Sequence, residues 1–115
     1  MDLIREETKA DAQLTKVKER IMKSDWEAHR KDPDIQPFTS IQNELYVADG
    51  IVFRLAQIVI PRRLQKKVIR AAHSQGHLGM SKFKQMTREK YWFQNMNSMI
   101  ETLVTECFEC QVTAK

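Results

Sequence analysis

Four side chains able to ligate a borderline metal ion occur in the order His73, His77, Cys107 and Cys110, which is H-x3-H, a spacer of twenty-nine residues, then C-x2-C. This pattern restricts the fold more than any other feature of the chain. Four such ligands complete the tetrahedral set that structural zinc takes from imidazole nitrogen and thiolate sulfur at about 2.0–2.3 Å, and a closed set leaves no position for a substrate water. One structural Zn2+ is therefore expected. On a helix, residues four apart share a face. If the helix ends near His73, Gly76 lets the backbone fold back and brings His77 to the same ion. C-x2-C is the short knuckle through which two thiolates reach one centre.

The two cysteines alone would also suit a redox pair. A thioredoxin-like pair, however, opens a helix beside a βαβ pattern, whereas Cys107 and Cys110 close one, and no parallel-strand pattern is visible. A dithiol oxidoreductase is disfavoured for that reason. Size points the same way. From Pro61 to Lys115 the chain is short enough that an apolar core supplies little net stability, while structural zinc binding is worth about 10–16 kcal/mol. The ion is expected to decide whether this half is folded. The third histidine, His29, lies in a charged stretch and reads as solvated.

At 115 residues, with three Gly and three Pro, the chain has room for one helix-leaning domain and an appendage. The segment Leu3 to Trp26 lacks Gly and Pro and places Leu14, Val17 and Ile21 at i, i+3, i+7, which predicts one amphipathic helix whose narrow stripe must dock on this chain or on a partner. Asp32-Pro33-Asp34 and Pro37 break it and make Arg30 to Pro37 a linker. Phe38, Ile41 and Leu45 suggest a short helix that stops before Asp49-Gly50. Ile51-Val52-Phe53 and Ile58-Val59-Ile60 read as a hairpin closed by Pro61. Helices are expected from Arg62 to about His73 and from an N-cap at Ser81 to Lys90, the latter with Phe83 and Met86 inward. Tyr91-Trp92-Phe93 reads as an aromatic wedge. The last helix carries Met96, Met99, Ile100, Leu103 and Val104 at helical spacing and delivers Cys107 at its end. The fold class is thus mainly α with a small β-hairpin: a zinc-organised helical bundle at 62–115, an α+β extension at 38–61, and a helix with linker at 1–37.

Charge is distributed unevenly. Residues 61–90 hold nine basic side chains and one acidic, within a chain whose net charge is only +4. A localised field of that sign suits a polyanion, and Arg62, Arg63, Lys66, Lys67, Arg70, Lys82, Lys84 and Arg88 are the candidate phosphate contacts. Such contacts position a nucleic acid without reading its sequence. No window approaches ~18 uninterrupted apolar residues, and the first twenty carry charge instead of an apolar leader, so neither a membrane span nor secretion is expected.

With these residues in place, His73-x3-His77 and Cys107-x2-Cys110 resemble the HHCC zinc-binding N-terminal domain of retroviral and gypsy-type LTR-retrotransposon integrases. Gly76-His77-Leu78-Gly79, Tyr91-Trp92, Met96 and Cys110-Gln111 are similar to the gypsy-type pattern in order and spacing. Glu44-Leu45, Asp49-Gly50-Ile51-Val52 and Ile58-Val59-Ile60-Pro61 resemble the extension that precedes it. The pattern departs at Phe93, where the family often has proline. The resemblance implies a region of a Pol polyprotein that aids multimerisation and binds the element's DNA ends, with other integrase protomers and a downstream catalytic core as partners. Five residues follow Cys110, so the fragment itself is expected to have no strand-transfer activity. The resemblance also implies an intracellular location, in the cytoplasmic particle and the nucleus. The competing expectation is a domesticated protein-interaction module in which DNA binding has decayed.

Overall fold

A computed structural model describes residues 2–74 and 80–106. Its elements are α1 (Asp2–Ala10), α2 (Ala12–Lys23), α3 (Gln36–Thr39), β1 (Leu45–Ala48), β2 (Ile51–Arg54), β3 (Gln57–Val59), α4 (Gln65–Ser74), α5 (Met80–Lys90), β4 (Tyr91–Trp92) and α6 (Met96–Glu106), with short 3-10 turns at Trp26–His29, Gln42–Glu44 and Arg62–Leu64. The architecture is mainly helical with a small sheet, as the sequence leads one to expect. No described helix is long and apolar enough to cross a membrane.

The expected single helix from Leu3 to Trp26 is two. Asp11 adopts an extended conformation, and its carboxylate accepts a hydrogen bond from the Leu14 amide at 2.9 Å. This side chain restarts the helix as an N-cap, an alternative to helix interior that Asp offers the backbone readily. Helix α2 ends at Ser24, whose left-handed backbone returns its N–H to the Arg20 carbonyl at 2.8 Å. Its apolar stripe docks within the chain: Leu14 and Val17 are buried with Trp26, Ile35, Phe38, Leu45, Val52 and Val59. Arg20 is also buried, with Nη1 on Asp25 at 2.9 Å.

The expected linker is packed. Ile35 is buried, and Lys16 on α2 reaches Asp34 at 2.9 Å and Asp32 at 3.3 Å. The Asp34 amide, and then Lys16, hold the Asp32 carboxyl below the usual carboxylate range. The helix expected over Phe38 to Leu45 is shorter. Only Gln36–Thr39 is α-helical, and Leu45 opens a strand. Leu45-Tyr46-Val47 is a β-prone triplet that a two-residue turn pairs with β2, and pairing overrides the helical spacing of three apolar residues.

In the sheet the strands lie in the order β1-β2-β3-β4. The antiparallel pair β1–β2 runs from Leu45 opposite Arg54 to Ala48 opposite Ile51. Asp49 and Gly50, at φ 52° and 75°, form the turn between them, the primed geometry that matches strand twist. The expected hairpin is β2–β3, joined at Leu55 and Ala56. Strand β4 is new. It pairs parallel to β3, with Ile58 beside Tyr91 and Val59 beside Trp92, after a crossover that contains α4 and α5.

Beyond the sheet a second core gathers Ile60, Leu64, Ile69, Phe83, Phe93, Met96, Ile100 and Val104, with Ile4 of α1 packed against it. The expected phase of α6 holds: Met96, Ile100 and Val104 are buried. That of α5 is corrected. Phe83 is buried, but Met86 is half exposed and Thr87 takes the inward position. Ser81 lies inside α5 instead of capping it, because the helix starts at Met80.

Candidate metal centre and basic face

Helix α4 delivers His73 one residue before its end. The same amphipathic phase that buries Ile69 turns His73 inward, so the imidazole is 6% exposed and its ring lies 5.0 Å from that of Phe83 on α5. Helix α6 ends at Glu106, immediately before Cys107, and its last buried residue, Val104, belongs to the core that Ala72, next to His73, packs against. His77, Cys107 and Cys110 lie outside the described residues. Among the described residues no three His, Cys, Asp or Glu side chains gather into a metal site.

The donor set is consistent with zinc on chemical grounds. The His73 imidazole is buried against an aromatic ring and is not a solvated histidine. His73, His77, Cys107 and Cys110 are the residues that would hold the ion.

The basic residues divide by exposure. Arg62, Arg63, Lys66, Lys67 and Arg70 are all exposed on α4 and the turn before it, while Ile69 is buried. Arg63 pairs only loosely with Glu7, Nε to Oε2 at 3.8 Å. The backbone N–H of Arg62 donates to Asp11 Oδ2 at 2.9 Å, which ties the start of this basic stretch to α2. Lys82 and Arg88 are exposed on α5. Lys84 is largely covered and ion-paired with Glu101 of α6, which spends its charge on joining two helices.

Sequence reasoning missed Arg54 and Trp92. The Arg54 guanidinium stacks over the Trp92 ring, 5.3 Å from its centre, and Trp92 meets Phe38 edge-on at 5.5 Å. Arg54 and Trp92 lie far apart in the chain, on strands whose pairing through β3 is non-local, and no spacing rule brings them together.

Against known proteins, residues 60–115 match the family described as the integrase zinc binding domain. Over 112 residues the chain is 25% identical to the uncharacterized protein K02A2.6 of Caenorhabditis elegans, a similarity that covers 97% of this chain and 9% of that protein. The chain thus spans a small part of the curated relative's length. No solved structure matches it significantly.

Proposed function

We propose, from the match of residues 60–115 to the integrase zinc binding domain family, that the chain is the zinc-organised N-terminal region of a gypsy-type retrotransposon integrase, which engages the element's DNA ends and other integrase protomers. The observation that carries the reading is the family match over the segment that contains all four ligand candidates and eight of the basic residues considered above. His73, His77, Cys107 and Cys110 hold one ion, which when bound supplies a cross-link between the end of α4 and the end of α6. Catalysis of strand transfer belongs to a downstream core of the parent Pol polyprotein, acting in the cytoplasmic particle and the nucleus.

The exposed cations of α4 and its preceding turn are the primary phosphate contacts, and Lys84, already paired with Glu101, contributes least. The docking of Leu14 and Val17 inside the chain weakens the competing reading, a partner-binding module, because the stripe that would seek a partner is already covered.

Two measurements test the proposal. Reduced protein should hold one zinc per chain, and Cys110→Ser or chelation should collapse the helical circular dichroism of the C-terminal half. Full helicity after verified metal loss counts against a structural ion. Duplex DNA should bind with an affinity that falls steeply with salt, by roughly 0.9 in log–log slope per phosphate neutralised. Reversal of charge at Lys66 and Lys67 should flatten that slope by about two such contacts. A slope untouched by the reversal places DNA elsewhere or nowhere.

A further inference from the structure

A cleft of about 520 Å³ lies where the sheet meets the C-terminal helices and is lined by Arg54, Gln57, Arg88, Trp92 and the Gln94–Ser98 stretch. Its charged lining is two guanidinium groups and no carboxylate, in a chain with fifteen acidic residues. Arg54 is preset. Its guanidinium rests on Trp92, and both Glu44 carboxylate oxygens stand 3.4 Å from Nη2. Its Nε is buried and has no hydrogen-bond partner. Arg54 keeps a quarter of its side chain exposed, and a planar guanidinium takes an oxyanion through paired N–H groups. Arg88 is exposed and makes no ion pair among the described residues. Gln57, whose side chain donates to the Arg88 carbonyl, holds the Arg88 backbone against the sheet.

We propose that this cleft is a phosphate-binding site, separate from the α4 face, in which Arg54 and Arg88 clamp a phosphate group between the sheet and α6. The volume suits a phosphate or a sugar-phosphate unit. With Trp92 already covered by Arg54, the recognition is of charge and not of base stacking. The phosphate has two possible sources, a nucleic-acid backbone or a free phosphate compound. The site rests on the DNA reading above for its source alone, not for its chemistry.

Inorganic pyrophosphate, titrated at constant ionic strength into the full chain purified with zinc and followed by 15N NMR, tests this. Saturable shifts are expected at the Arg54 and Arg88 Nε–H resonances and at the Asn97 and Ser98 amides. Ser98→Asp places a carboxylate in the cleft at an exposed first-turn position where an acidic residue suits the helix, so the fold persists. It should weaken pyrophosphate at least about tenfold, the scale of one adverse charge contact. Arg88→Gln, also exposed, should do the same. The absence of saturable shifts at these groups, or shifts indifferent to both variants, overturns the site. A duplex oligonucleotide that displaces pyrophosphate identifies the backbone as the source, and one that binds without displacing it identifies a free compound. The Lys66→Glu, Lys67→Glu protein separates the two readings. It should lose oligonucleotide affinity while it keeps pyrophosphate, and if wild-type chain binds pyrophosphate but no DNA, the DNA reading fails and the cleft stands.

Discussion

At the scale of single residues, Asp11 does more than its place in a charged run suggests. Oδ1 caps α2 at the Leu14 amide, and Oδ2 accepts from the Arg62 amide fifty-one positions away. One carboxylate therefore sets both the break between the first two helices and the height of the basic stretch above them. Asp11→Ala removes a cap worth about 1 kcal/mol and a second hydrogen bond of similar size, so urea unfolding should show a loss of about 2 kcal/mol. Asp11→Asn, which keeps an acceptor for one amide only, should fall between. A neutral Asp11→Ala result would mean that both amides find water at no penalty. Spacing singled out His73 as a ligand candidate, and its burial follows from the helical phase it shares with Ile69. The exchange of Met86 for Thr87 was not legible, since positions three and four after Phe83 both flank its face and polarity alone favours the methionine.

Among the elements, α6 was the most legible because five apolar residues at helical spacing admit only one buried face. β1 was the least. Leu45 continued a helical spacing, and only the partner strand across the Asp49-Gly50 turn converts that stretch to β structure. The turn itself is exacting. Gly50 sits at φ +75°, and a Cβ there would stand 3.3 Å from Cγ of Arg5, whose Nε donates to the Asp49 carbonyl at 2.9 Å. Gly50→Ala should therefore destabilise the protein by about 1–2 kcal/mol, the penalty of a left-handed alanine. Amide exchange should quicken first in β1, the edge strand held by this turn. Equal protection of β1 in both proteins would show that the strand is secured from α2 instead.

For the molecule as a whole, the N-terminal helices are part of the interior. Leu14 and Val17 of α2 enter one core and Ile4 of α1 borders the other, so the two helices between them reach both. Fully burying each such side chain is worth about 1.5–3 kcal/mol. A chain that begins at residue 24 should unfold at markedly lower urea than the intact protein even with zinc supplied, as followed by tryptophan fluorescence from Trp26 and Trp92. Undiminished stability would show that these helices are ornament. The helical content and the hairpin were readable locally, whereas the arrangement that joins them depends on contacts remote in sequence, above all β4 beside β3. That strand has a practical bearing on anyone who would trade pieces between relatives. The matched family segment opens at residue 60, yet a cut there parts Ile58 and Val59 from the neighbours that complete their ladder. A graft made at that seam would leave two raw edges, each a template for pairing with a stranger. Chimaeras should carry the upstream sheet along with the helices it closes upon, as one heritable cassette.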